Sequence, residues 1–276
     1  LGRMLARHPR FVNVHTELRF HSTRPGFASV LAGELTPEEF AEVVHKKWFR
    51  PKGGSGKPKG LQLISGNSEL KRLLAEFRER ALDDVPGALA QLMLDVVGRY
   101  ARGRGALRWS ETTPDNASAA AALTTVFPTA QVIHTIRDGR DVAASVVTMP
   151  WGPTTHAEGL DWWADRIRAA DASITKADPE RVHTVRLEEL IHLDRERRYA
   201  ALIEGLGFTD DALLREYFDT SMSAEKGHVG RWRSELDAAE RDAFDGRYRE
   251  VLAELADEGV TSLPTSPDAV DELADA

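Results

Sequence analysis

The chain has 276 residues, 42% of them hydrophobic and 29% charged, with a net charge of −8 and no cysteine. That balance suits a globular chain with a full core, and it excludes a disulfide scaffold, a Cys-ligated zinc or iron–sulfur site and thiol catalysis. No apolar run approaches the roughly 20 residues that a transmembrane helix needs, and the lack of cysteine fits a reducing, cytoplasmic setting. Charge is unevenly placed: the 26 residues from Val251 onward hold seven acids and no Lys or Arg, whereas the first 60 hold eleven Lys or Arg against five acids. Bulk binding of nucleic acid is therefore not expected, while the N-terminal part suits a smaller anion.

In chain order, Gly2-Arg3-Met4-Leu5-Ala6-Arg7 already reads as helix, with no polar lead-in and no signal peptide, so the expectation is a chain truncated at its start. His45–Gly60 carries six basic side chains, four glycines and no acid, and reads as a mobile loop. Asn67–Ala81 places Leu70, Leu73, Leu74 and Phe77 on one helical face, and a second helix runs from Pro86 to about Tyr100. A helical insert is accordingly expected over about 34–102.

Short β-branched or apolar runs predict strands at Ala106–Trp109, Gln131–Ile136 and Val182–Leu187. Helices are predicted over Asn116–Val126, Asp138–Thr148, Ala157–Lys176, Thr209–Phe218 (capped by Thr209) and Asp237–Ala256, the last stopped by Gly259. Strands alternating with long helices imply an α/β fold, its central, mostly parallel sheet flanked by helices. The division expected is one domain over 1–260, then an acidic, disordered tail over 261–276.

The strongest local signal is Val132-Ile133-His134-Thr135-Ile136-Arg137-Asp138-Gly139-Arg140-Asp141, continuing through Val142-Ala143-Ala144-Ser145. It reads as a buried strand, a basic turn and a helix capped by Asp138. A helix N-terminus offers free N–H groups to an anion, Arg137 adds a fork matched to phosphate oxygens, and Ser145 adds a hydroxyl. On charge pattern alone the same residues also read as a local salt-bridge cluster. Gly54-Ser55-Gly56-Lys57-Pro58 is not a Walker A loop, because Pro51 and Pro58 stand where that motif needs Gly and Ser or Thr.

The run IRDGRDVAAS resembles the 3′-phosphate-binding segment of sulfotransferases that use 3′-phosphoadenosine 5′-phosphosulfate (PAPS). Three further blocks are similar to that family in the same order: Trp109–Asn116 (WSETTPDN), Val185–Leu190 (VRLEEL) and Gly230–Leu236 (GRWRSEL). The resemblance implies a P-loop-like sulfotransferase fold and transfer of a sulfuryl group from PAPS, as co-substrate, to a hydroxyl or amine. The acceptor class is a small molecule, lipid or carbohydrate, and no metal is implied; the nine His residues show no zinc-type spacing either.

Residue by residue, the resemblance gives Arg137 and Ser145 to the 3′-phosphate, and Gly230, Arg231 and Trp232 to a loop closing over it. Glu17 stands in the acceptor cleft as general base, with His15 as the other candidate and a Glu17–Arg19 or Glu17–Arg24 ion pair as the non-catalytic reading. Glu111 reads as structural or acceptor-orienting. Two departures stand out: Thr112 replaces the family's usual Lys, and the 5′-phosphosulfate loop, typically P-R-S-G-T-T, is expected just upstream of Leu1. The alternative function is a non-catalytic relic, or a protein that binds adenosine bisphosphate without the sulfate loop.

Overall fold

The computed structural model describes residues 1–51 and 58–274. The glycine-rich segment Lys52–Lys57, with the Gly54–Lys57 decoy, lies outside the described residues. By internal contacts the chain divides into two compact units: Leu1–Val132 with Ser173–Arg181 and Asp211–Leu214, and Ile133–Ala172 with Val182–Asp210 and Arg215–Ala276.

In the first unit a short strand, β1 (Phe11–Asn13), pairs in parallel with β2 (Arg108–Ser110), in the register Phe11↔Arg108, Val12↔Trp109 and Asn13↔Ser110. β1 was not predicted: three residues are too few to show a period of two, and the partner lies almost 100 residues away. Helices of seven residues or more follow: α1 (Pro37–Val43), α2 (Asn67–Arg80), α3 (Val85–Arg102) and α4 (Ala120–Val126). Thr36 and Glu39 form a reciprocal capping box on α1, which satisfies two N–H groups the helix cannot. α1 runs directly into a wider helical turn over Val44–Trp48, so the expected loop 45–60 begins as helix; Trp48 is buried and anchors it. Pro114–Ala119 is a 3₁₀ segment ahead of α4, so the helix expected from Asn116 begins as a tighter turn. The unit's core gathers Phe20, Phe27, Phe40 and Phe77, all fully buried, in edge-to-face and tilted contacts between 5.6 and 6.5 Å.

The second unit holds β3 (Val132–Ile136, whose first residue groups with the first unit) beside β4 (Val182–Arg186), and α5 (Gly139–Val146), α6 (His156–Ile174) and α7 (Arg195–Gly205). A further helix, α8, spans Ala212–Ser221 across the division. Its N-terminal acceptor is Asp211, which takes the Leu213 N–H at 2.9 Å, rather than Thr209 as predicted. α9 (Ala238–Asp257) starts in a second capping box, Asp237 with Glu240. Its face of Phe244, Tyr248, Val251 and Leu255 packs with Trp163, Ile136 and Ala143 into one buried cluster.

The expected α/β class with parallel strands holds, the strands being paired as two two-stranded sheets. The tail needs correction. Residues Pro267–Ala274 form a helix, α10, rather than a disordered acidic segment. Composition misled because these acids have partners: Val270 is buried and Asp271 meets the fully buried Arg140 at 3.0 Å.

Candidate functional site

The second unit builds a tight turn from β3 into α5. Asp138 caps the helix by accepting the Arg140 N–H at 2.8 Å. Gly139 sits so close to Trp163 and Tyr248 that a β-carbon there lies 2.8 Å from ring carbons of both. Tyr248 accepts the Gly139 N–H on its hydroxyl at 3.2 Å, which pins the first turn of α5.

Arg137 directly follows β3 and is half-buried. One of its terminal nitrogens donates to the His228 carbonyl at 2.7 Å and stands 3.1 Å from Asp141, one helical turn on. Its Nε is buried with no hydrogen-bond partner. A buried, charged, unsatisfied donor at the start of a helix is a fitting place for an anion oxygen.

Asp141 is fully buried and reaches into the loop that carries three of the predicted residues. It accepts the Gly230 N–H at 3.0 Å and the Trp232 N–H at 3.2 Å. Gly230 has φ +76°, a left-handed conformation that glycine adopts without strain and that turns both amides toward one carboxylate. Arg137, Gly230 and Trp232 are thereby brought together. Trp232 is buried, with the Arg140 guanidinium 4.7 Å over its ring, so it serves the core beneath the loop. Arg231 is paired with Glu235 at 2.6 Å. Ser145 lies half-buried on α5, one turn beyond Asp141.

Under the turn, Arg140 is fully buried and held by three acids: Asp138 at 2.7 Å, Asp245 at 2.5 Å and Asp271 at 3.0 Å. Burial works against its charge, but the contacts from Asp138 and Asp271 outweigh that and raise its affinity for the proton. Glu188, two residues past β4, is also fully buried and accepts the Asp138 N–H at 2.9 Å. Burial pushes its carboxyl up to about 7, against the lowering effect of that hydrogen bond. Sequence reasoning did not assign Asp141, Glu188, Tyr248, Asp245 or Asp271 to the site. Asp141 and Glu188 carried a local signal, the first in its i,i+4 spacing from Arg137 and the second in the Val185–Leu190 block.

The acceptor-side residues belong to the first unit. Glu17 is ion-paired with Arg19, whose Nε donates to it at 2.8 Å, in a half-exposed loop after β1. His15 is exposed, and its Nδ1 lies 2.6 Å from the hydroxyl of Tyr100 on α3. Glu111 is deeply buried and saturated. It accepts from Leu18 N (2.9 Å), Thr113 N (2.9 Å), Thr113 Oγ1 (2.6 Å) and Asn116 Nδ2 (2.9 Å), with His21 Nε2 at 3.1 Å. Burial alone disfavours its charge, but His21 and these donors outweigh burial and bring its pKa down to about 2. Glu111 therefore ties the 17–19 loop to the segment after β2.

Among the described residues no cluster of three or more His, Asp or Glu is disposed to hold a metal ion, and no helix is long and apolar enough to cross a membrane.

The chain is similar to the sulfotransferase domain from the curacin biosynthetic pathway, at 14% identity and a TM-score of 0.56, over 93% of this chain and 92% of that one. A second solved structure, the sulfotransferase domain from the Synechococcus PCC 7002 olefin synthase, aligns at 18% identity and a TM-score of 0.46, over 91% of this chain and 88% of that one. No curated protein matches. The model of the sulfotransferase family matches residues 1–211, and the chain belongs to that family.

Proposed function

We propose that the chain transfers a sulfuryl group from PAPS to a hydroxyl or amine of a small-molecule acceptor, lipids and carbohydrates included. The observation that carries the donor assignment is the buried, unpartnered Arg137 Nε at the mouth of α5, beside the Asp141-tethered Gly230 loop. On this reading Arg137 and Ser145 hold the 3′-phosphate, and Gly230, Arg231 and Trp232 form the loop that closes over it. Arg231 exchanges Glu235 for the phosphate as the loop closes. PAPS supplies the sulfuryl group and leaves as adenosine 3′,5′-bisphosphate, a displacement in which positioning and charge stabilisation do most of the work.

The acceptor proton goes to the loop after β1. Glu17 and His15 are the two groups there, and Glu17 is already engaged by the Arg19 guanidinium. His15 is favoured: it is exposed, and Tyr100 holds one ring nitrogen, which leaves Nε2 to take the proton. Cytoplasmic operation is part of the same reading, supported by a chain without cysteine.

Calorimetric titration of adenosine 3′,5′-bisphosphate and of ATP tests the donor site. Selective binding of the bisphosphate, weakened by roughly 2–3 kcal/mol in Arg137→Ala, is the expected result. Equal affinity in the variant removes Arg137 from the site.

A further inference from the structure

Glu188 is a buried acid of the second unit whose position beside the Arg137–Asp138 turn the sulfuryl-transfer reading leaves without a task. Its side chain is fully buried, and Oε1 accepts the N–H of Asp138, the residue that follows Arg137 and caps α5. The other oxygen, Oε2, is buried and has no hydrogen-bond partner. A carboxylate left with one unsatisfied oxygen in the interior is held in a costly state unless a proton or a donor joins it.

We propose that Glu188 is a positioning residue of the phosphate turn which takes up one proton from solvent, on Oε2, when a phosphate binds at Arg137. This rests on the reading of that turn as a 3′-phosphate site.

The argument is one of local charge. The groups that face Glu188 are Asp138 and Arg137 from the turn and Tyr248 from α9. Asp138 disfavours a second negative charge beside it, and Tyr248 carries none. The N–H groups of Asp138 and of Glu188 itself favour the ionised form, and so does the charge of Arg137, which is also the group a phosphate engages. A bound dianion therefore engages a positive charge that supports the Glu188 carboxylate, and adds negative charge nearby. Burial already places this carboxyl at about 7, so near neutrality little free energy separates its two forms. Protonation on Oε2 leaves Oε1 free to keep the Asp138 N–H, so the turn holds its shape as the charge changes.

The test is calorimetric titration of adenosine 3′,5′-bisphosphate into the whole chain at pH 7, in several buffers of different ionisation enthalpy and none containing phosphate. The slope of apparent enthalpy against buffer enthalpy counts protons. Uptake approaching half a proton per bisphosphate is expected, because a carboxyl at about 7 is already half protonated at that pH, and it is lost in Glu188→Gln. A phosphate that simply becomes more ionised on an arginine releases protons, the opposite sign. His228→Asn is the control, because that imidazole is exposed near the turn and asparagine suits its left-handed backbone (φ +53°). Uptake that survives in Glu188→Gln, or disappears in His228→Asn, overturns the proposal. If Glu188→Gln does not fold, the wild-type slope still decides: binding without uptake between pH 6 and 8 sinks it. Absence of any binding heat instead overturns the phosphate-site reading on which it rests.

Discussion

The Asp141 carboxylate accepts the Gly230 N–H at 3.0 Å across 89 residues of sequence. Its second oxygen takes the Trp232 N–H at 3.2 Å, and Arg137 stands 3.1 Å away. One fully buried acid thus fixes the arginine of the phosphate turn and the loop proposed to cover it. Replacing Asp141 by Ala leaves two amides without an acceptor and deprives Arg137 of its counter-charge. We expect a loss of about 2–4 kcal/mol in chemical denaturation, with Asp141→Asn milder because one acceptor oxygen remains. A variant as stable as wild type would show that the loop is held by something else.

Arg140 joins three segments that are far apart in sequence, through Asp138, Asp245 and Asp271. Removing its charge leaves acids crowded around an apolar side chain. Arg140→Met should lower stability by about 3–5 kcal/mol. Limited proteolysis should then cut the tail first, because α10 loses the buried one of the arginines that Asp271 meets. Unchanged cleavage of the tail would place its anchorage with Val270, Arg233 and Arg249 instead.

The two perturbed acids act on stability in opposite directions with pH. Glu111 falls from an ordinary 4.5 to about 2 in the folded chain. Its contribution is present above 4.5 and is lost as pH falls through about 2. Glu188 rises from 4.5 to about 7, so its contribution is present below 4.5 and is lost as pH rises through about 7. Each is worth on the order of 3 kcal/mol across its window. Melting temperatures of Glu111→Gln should therefore be flatter than wild type between pH 2 and 4.5. A wild-type slope retained in that variant would assign the acid transition to other carboxylates.

Gly139 has no room for a side chain. A β-carbon there meets Trp163 and Tyr248 at 2.8 Å, and both rings belong to the packed cluster around α9. Gly139→Ala should destabilise by about 1–3 kcal/mol through overpacking, and it should weaken bisphosphate binding, because the displaced turn carries Arg137. Full stability by calorimetric melting would mean that the rings yield without strain.

Much of the local structure was legible before the fold was known. The i, i+3, i+4, i+7 leucines of Asn67–Arg80, the apolar β3 run and the Asp138 cap each act within a few residues, where steric preference and hydrogen bonding follow from the local sequence. The order of four family-like blocks was legible as well. Strand β1 was not, because a three-residue strand exists only through its pairing with β2. The helix at Pro267–Ala274 was hidden for a similar reason: its acids look solvating until Arg140 is placed beneath them.

By itself the sequence determined the fold class, the limits of the longer helices such as Asn67–Arg80 and Ala238–Asp257 to within a few residues, and the family, since all three rest on local periodicity and motif order. Arg195–Gly205 and Pro267–Ala274 were not foreseen as helices. Only the tertiary structure decided which charges are spent inside the fold. It paired Glu17 with Arg19 and His15 with Tyr100, saturated Glu111, left Arg137 Nε and Glu188 Oε2 unpartnered, and tied Gly230 to Asp141. Apart from Glu17–Arg19, those outcomes depend on burial and on partners many residues distant, and both arise only when the chain is packed.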